Sequence, residues 1–245
     1  MSNMKLALLK IANSALRPLG VQIYHEGLDM ESVLRRLAPH AGPIGTVIDI
    51  GASTGRWSAM TMPYFPAARF VGVDPLRERE PDLQRLKARN SNFDYVLCAA
   101  GEQDGIMIDM AVSGDLDGST VGGSQGIVRN VPLHSVDAIV EMKKCNGPFM
   151  LKFDTHGFEV PILKGASATL LQTKYIVMEV YNYRHIEGTL LFHEMCVLLD
   201  GLGFRCFNVV DPMQRPLDRS LWQMDFFFAR KDDEVFRHDT YQLPS

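Results

Sequence analysis

One stretch constrains this chain more than any other: Val47-Ile48-Asp49-Ile50-Gly51-Ala52-Ser53-Thr54-Gly55. A short apolar strand ends in an acid, a turn with two glycines follows, and a helical pattern begins at Gly55. Glycine suits such a turn because the backbone must reverse tightly and let a ligand approach closely. In open α/β sheets, ligands bind at the carboxyl ends of strands beside such a crossover. A dinucleotide fingerprint would require G-x-G-x-x-G. Starting from Gly51, its later glycines would fall where Ser53 and Arg56 stand, and the spacing here is G-x-x-x-G. A carboxylate in the first turn repels phosphate and suits a cationic ligand. S-adenosylmethionine carries a sulfonium and an ammonium group and no pyrophosphate, so it fits this turn better than a nicotinamide cofactor.

The rest of the chain alternates strand and helix patterns, which indicates a mostly parallel sheet covered on both faces. Residues 4–16 and 29–38 read as helices, and Thr46–Ile50 as the first core strand. Strands follow at 69–73 and 92–99, with a charged helix over 80–88 between them. Residues 105–112 read as extended and 113–130 as a Gly- and Ser-rich loop without period. A loop of that length in a compact domain is usually functional or disordered. Further on come a short helix at 134–140, a strand at 148–153, a helix at 158–171, a strand at 174–180 and a helix at 189–200. The chain closes on two strands, 203–210 and 221–229, which read as an antiparallel hairpin with a long connection over 211–220.

A second acid stands where a ribose-binding carboxylate belongs. Phe70-Val71-Gly72-Val73-Asp74-Pro75 ends the second strand roughly 20 residues after Gly51. Asp74 as a plain helix cap is the alternative. Ala99 and Ala100, at the end of the third strand, leave room for an adenine ring. The expected cofactor-binding set is therefore Asp49, Gly51, Ala52, Ser53, Gly55, Asp74, Pro75, Ala99 and Ala100.

Composition narrows the partners. A net charge of −4 without a Lys/Arg stripe speaks against nucleic acid. Cys98, Cys145, Cys196 and Cys206 form no C-x-x-C pair, which argues against a zinc site and fits reduced thiols in a cytoplasmic protein. No apolar run reaches the roughly 18 residues that span a bilayer. The basic, amphipathic segment 4–16 reads as a packed helix, with a dimer or membrane contact as alternatives, and a homo-oligomer is compatible with the chain.

The segment Phe149-Met150-Leu151-Lys152-Phe153-Asp154-Thr155-His156-Gly157-Phe158-Glu159-Val160-Pro161-Ile162-Leu163-Lys164-Gly165-Ala166 resembles the signature of the FkbM methyltransferases. Tyr175–Val180, ending in Glu179-Val180, and Gln223–Phe228 are similar to that family's later strands. The resemblance extends over roughly residues 45–230. It implies a class I methyltransferase Rossmann-like fold: a seven-stranded, mostly parallel sheet, an antiparallel terminal hairpin and helices on both faces. It also implies S-adenosyl-L-methionine as donor and O-methylation of a glycan or other secondary-metabolite alcohol. The expected organisation is an N-terminal helical appendage over 1–42, the methyltransferase domain over 43–232 and a tail over 233–245. Position 156 is polar and variable in the family; here it is His156, and no family role is carried onto it.

The residues themselves add chemistry. Asp154 ends the fourth core strand and Glu179 lies near the end of the fifth, flanking the expected position of the donor methyl group. An alcohol needs help losing its proton as the new bond forms. Asp154 or His156 could accept it, or Asp154 and Glu179 could hold a divalent metal ion such as Mg²⁺. Their oxygen ligands suit Mg²⁺, Ca²⁺ or Mn²⁺ better than zinc. Structural alternatives are an Asp154–Thr155 helix cap and a Glu179 that partners backbone. Tyr181, Tyr183 and Arg184 follow Glu179 and are candidate acceptor-binding residues. An N-methyltransferase is the competing reading, although Asp154-Thr155-His156-Gly157 does not match the Asp/Asn-Pro-Pro-Tyr turn common there. A non-catalytic relative that binds adenosylmethionine is another.

Overall fold

A computed structural model of the chain describes residues 29–123, 126–238 and 240–241, with isolated positions between 8 and 18. The expected helix over 4–16 falls largely outside the described residues. Seven strands form one sheet in the order β10-β11-β9-β8-β1-β2-β3. These are β1 Thr46–Ile50, β2 Arg69–Val73, β3 Phe93–Val96, β8 Phe149–Phe153, β9 Thr173–Tyr181, β10 Phe204–Gln214 and β11 Leu221–Arg230. Neighbours from β9 through β3 run parallel. β11 alone runs against both of its neighbours. The parallel strands therefore deliver their carboxyl ends, with Gly51, Asp74, Asp154 and Tyr181, to one edge.

The alternation of side chains along each strand builds two cores. Ile48, Ile50, Leu151, Phe153, Ile176 and Met178 pack on one face. Val47, Phe70, Met150, Tyr175, Val177 and Phe227 pack on the other. The first strand is buried throughout, as a strand covered on both sides must be. The helix Met30–Leu37 is capped by Asp29, whose carboxylate accepts from the Ser32 N–H at 2.8 Å. Its Met30, Val33, Leu34 and Leu37 join the second core, so this helix packs on the sheet. Among the described residues, no helix is long and apolar enough to cross a membrane.

Four local readings change. The stretch 113–130 is not structureless. It contributes β6 Thr120–Val121 and the start of β7 Ile127–His134. With β4 Ala99–Ala100 and β5 Ile106–Val112 these form a second sheet in the order β4-β7-β5-β6. Ala99 and Ala100, expected at the end of the third core strand, belong to this small sheet instead. The 158–171 helix is two, Glu159–Lys164 and Ser167–Leu170. Gly165 separates them where the chain passes so close to Gly101 that a Cβ would lie 1.9 Å from the Gly101 carbonyl oxygen. Finally, β10 continues to Gln214, which shortens the hairpin connection to residues 215–220.

Leu151 is fully buried at the centre of the first core. Leu151→Ala should cost about 3 kcal/mol of stability, from lost burial and a residual cavity. Urea denaturation followed by circular dichroism measures it, and a loss under about 1 kcal/mol would contradict this packing.

Candidate functional site

A cavity of about 260 Å³ lies at the carboxyl edge of the sheet. Its floor is the glycine turn. Gly51 has φ +82°, and a Cβ there would sit 1.9 Å from the Asp154 carbonyl oxygen, so only glycine allows the two strand ends to meet. The Gly51 and Ala52 N–H groups both donate to the Val73 carbonyl, at 2.9 and 3.0 Å, tying the turn to the end of β2.

Asp74 lines the cavity and is 5% exposed. Its Oδ2 accepts from the Ser53 N–H at 2.8 Å and its Oδ1 from the Leu76 N–H at 2.9 Å. Burial pushes its carboxyl up to about 6, against the pull of those two N–H groups and of Arg79. Pro75, Ala99 and Ala100 line the same space, with Cys98, Phe158 and Ile162 beside them. The 113–130 stretch, whose length and polarity suit a flap over the cofactor, does form the roof; that it is part of a second sheet was not legible in the sequence. Met110, Leu116, Ser119, Thr120 and Val121, from the small sheet and its 113–119 turn, close the cavity from above. The turn is ordered by hydrogen bonds: the Ser113 hydroxyl donates to Asp115 at 2.7 Å, and the Ser113 N–H donates to the Ser119 hydroxyl at 3.0 Å. The ion pairs Arg79–Asp117 and Arg129–Glu78 tie the roof to the segment after Asp74. The only sequence signal for this was the length and polarity of the stretch.

At the other end of the cavity stand Asp154, His156 and Glu179. His156 is held in a left-handed conformation, φ +53°, followed by Gly157 at φ +104°. Such strain in a non-glycine residue persists only when its surroundings enforce it. The Thr120 hydroxyl donates to the His156 carbonyl at 3.1 Å, and His185 Nε2 donates to the same oxygen at 2.9 Å. The His156 ring is fixed through Nδ1, 3.2 Å from Glu179 Oε1 and 2.7 Å from the Tyr181 hydroxyl. The Tyr181 hydroxyl donates to Glu179 Oε1, and the Gln223 amide donates to Glu179 Oε2. Burial disfavours the imidazolium. The Glu179 hydrogen bond and the charges of Asp154 and Glu179 outweigh it and carry His156 up to about 9.

Asp154 is pinned by Lys152, whose Nζ lies 2.5 Å from Oδ2. Burial opposes ionisation of Asp154, but Lys152 and His156 hold its carboxyl below the usual range. Lys152 is itself buried and also lies 3.9 Å from Asp49 Oδ1. Asp49 was expected at the cofactor. It is fully buried on the opposite side of the turn, where it accepts from the Ser58 hydroxyl at 2.7 Å and does not line the cavity. The register explains this: Asp49 pairs with Lys152 across β1 and β8, so both side chains share the sheet face that carries the second core. Ala52 and Gly55 likewise shape the turn without lining the cavity, whereas Ser53 does line it.

The candidate acceptor residues separate. Tyr181 is buried and belongs to the His156–Glu179 network. Tyr183 lies outside the cavity, stacked on Trp222 with ring centroids 5.5 Å apart and covered by the Arg215 guanidinium at 4.1 Å. Arg184 is committed to Glu194, at 2.5 Å, and to the Thr189 carbonyl.

The sheet order, with one antiparallel strand beside the edge and a cavity at the carboxyl ends of β1, β2 and β8, defines a class I methyltransferase-type α/β protein. Residues 49–206 match the methyltransferase FkbM domain, and the chain belongs to that family. No curated protein matches the chain. Among solved structures, it is similar to the methyltransferase FkbM from Methylobacillus flagellatus, at 20% identity and a TM-score of 0.48, over 75% of this chain and 43% of that one. The chain thus spans less than half the length of that protein. It is also similar to the 1,6-didemethyltoxoflavin-N1-methyltransferase of Burkholderia thailandensis, at 15% identity and a TM-score of 0.45, over 95% and 92% of the two chains. A putative RNA methyltransferase from Pyrococcus horikoshii gives 13% identity and a TM-score of 0.45, over 82% of each chain.

Removing the buried cation tests the charge balance beneath the site. Lys152→Met should destabilise the fold by about 3 kcal/mol or more, because Asp49 and Asp154 lose their counter-charge. Adding Asp49→Asn should recover part of the loss. A single variant as stable as the parent in a thermal melt would show that the lysine compensates nothing.

Proposed function

We propose that this methyltransferase moves the methyl group of S-adenosylmethionine to a hydroxyl oxygen of a glycan or other secondary-metabolite alcohol. The observation that carries this reading is the pairing, at two ends of one cavity, of a ribose-type carboxylate with an acid–histidine cluster. Asp74 has both oxygens oriented by backbone N–H groups beside the cavity, an arrangement suited to accepting from the two ribose hydroxyls. Ala99, Ala100, Phe158 and Ile162 offer an apolar slot for adenine. Gly51 and Ser53, which line the cavity between Asp74 and Asp154, would hold the methionyl end.

Bound S-adenosylmethionine would supply an activated sulfonium methyl group, and this reading has the acceptor hydroxyl oxygen take it. The new carbon–oxygen bond forms as the carbon–sulfur bond breaks, and its electron pair returns to sulfur, giving S-adenosylhomocysteine. The hydroxyl proton must leave. An alcohol oxygen becomes strongly acidic as it bonds to carbon, so a carboxylate held at low pKa by Lys152 is still an adequate late acceptor. Asp154 Oδ1, which the lysine leaves free, would take it, with His156 facing it across the cavity. A divalent cation on the same cluster is a second way to acidify the hydroxyl. Oxygen rather than nitrogen as acceptor is supported by this acidic, proton-accepting end and by the lack of an Asp/Asn-Pro-Pro-Tyr turn after β8. The chemical position of the methyl group in products from a panel of alcohols and amines tests it, and methylated amines alone would overturn it.

Asp74→Ala should weaken adenosylmethionine binding by roughly 1–3 kcal/mol in calorimetry, through loss of charge-assisted hydrogen bonds. The same carboxylate sets a pH dependence. It is ionised above about 6 and protonated below, so affinity should hold above that pH and decline as pH falls through it. Asp74→Asn should flatten the decline, and a parent protein whose affinity is flat across that range would remove Asp74 from the ribose. Asp154→Asn should leave cofactor affinity intact and cut turnover by about two orders of magnitude.

A further inference from the structure

His156 and Asp154 face each other in a way that the proton-transfer chemistry does not require. The ring is locked by its Nδ1 side, against Glu179 and the Tyr181 hydroxyl. That leaves Nε2 turned toward Asp154 Oδ1, 3.9 Å away. This is beyond hydrogen-bonding distance. An ion bound at roughly 2.0–2.2 Å from an imidazole nitrogen and a carboxylate oxygen fits between them once the two side chains close by about 0.5–1 Å toward a tetrahedral or octahedral angle. Among the described residues, neither atom has a hydrogen-bond partner, although each residue's other polar atom is fully engaged.

The surroundings match those of a metal-binding histidine. Such a ring almost always donates its second N–H to a carboxylate or carbonyl, which fixes tautomer and orientation. Glu179 supplies that carboxylate, and its own two oxygens are held by Tyr181 and Gln223. One ligand atom from each of Asp154, His156 and Glu179 lies within 4.8 Å of the others.

We infer that Asp154 Oδ1 and His156 Nε2 bind a divalent transition-metal ion, with Glu179 orienting the imidazole from behind. This changes the ligand set expected from sequence, Asp154 with Glu179, because both Glu179 oxygens are already committed. It also changes the class of ion. A mixed nitrogen and oxygen pair suits Mn²⁺, Fe²⁺, Co²⁺ or Zn²⁺ better than Mg²⁺, which prefers oxygen. Two protein ligands leave the other coordination positions for solvent and the acceptor. The inference rests on the hydroxyl-methylation reading for its purpose: an ion at this point polarises an acceptor oxygen and reduces what is asked of Asp154 as a base.

The test uses the full chain stripped with chelator and titrated with Mn²⁺ alone, the unbound ion being followed by electron paramagnetic resonance. One saturable site per chain is expected. His156→Ala and Asp154→Asn should each weaken it at least tenfold, and Glu179→Gln by a similar factor through loss of the orienting bond. Asp200→Asn, on the exposed face of the helix Phe192–Gly201 and paired with Lys231, should bind as the parent does. Circular dichroism checks that each variant is folded, and His156→Ala, which leaves the Lys152 pairings in place, carries the test should Asp154→Asn not fold. No binding at millimolar Mn²⁺, or binding unchanged by His156→Ala, overturns the inference. Calorimetry with adenosylmethionine on the same stripped protein keeps the two readings apart. Cofactor binding without Mn²⁺ binding removes the ion and leaves the methyltransferase reading standing, whereas loss of cofactor binding removes the reading itself.

Discussion

The site depends on one buried ammonium. Lys152 lies inside the central strand β8, with 6% of its side chain exposed, between Asp49 and Asp154. Burying a charge is costly unless it is paired, and breaking such a pair costs more than forming it gains. The lysine therefore fixes two things together. It neutralises Asp49 beneath the glycine turn, and it holds one oxygen of Asp154 so that the other faces the cavity. The Trp57 ring, with its centroid 5.9 Å from the ammonium, adds a further favourable contact where the turn enters its helix.

Around that pair, backbone constraints place the remaining groups. Gly51 lets the ends of β1 and β8 touch, so the turn that would hold the cofactor and the carboxylate of the reacting end are neighbours. His156 is left-handed because Thr120 and His185 both hold its carbonyl. Thr120 comes from the roof, which couples the ordering of the 113–119 turn to the position of the histidine. A binding event under the roof and the geometry at His156 are thus mechanically linked through one hydroxyl. The terminal strand adds Gln223, which fixes Glu179 from the side away from His156.

Parts of this were legible along the chain. The strand ends carrying Gly51, Asp74, Asp154 and Glu179 announce themselves, because an apolar run that stops at an acid or a glycine is a local pattern. Asp74, Asp154, His156 and Glu179 do meet at one cavity. Asp49 shows where local reading stops. Its spacing before Gly51 suggested ligand contact, but a one-residue alternation along β1 turns it to the other face, where Lys152 meets it. Tyr181 and Tyr183 sit two residues apart and have unrelated surroundings, one buried against His156 and the other stacked between Arg215 and Trp222.

The sequence by itself determined the family, the alternation that builds a mostly parallel sheet, and the acids that end its strands. Those properties are encoded within a few consecutive residues, in apolar period, glycine placement and a signature run from Phe149 to Ala166. Only the tertiary structure decided the partners. That Lys152 serves both Asp49 and Asp154, that Thr120 and His185 grip His156, that Gln223 fixes Glu179, and that a second sheet roofs the cavity are all contacts across sheet register or between distant segments. Their physical basis is the cost of leaving a buried charge or polar group unpaired, which is met by whichever side chain the packed fold brings within reach, however far away it lies in the chain.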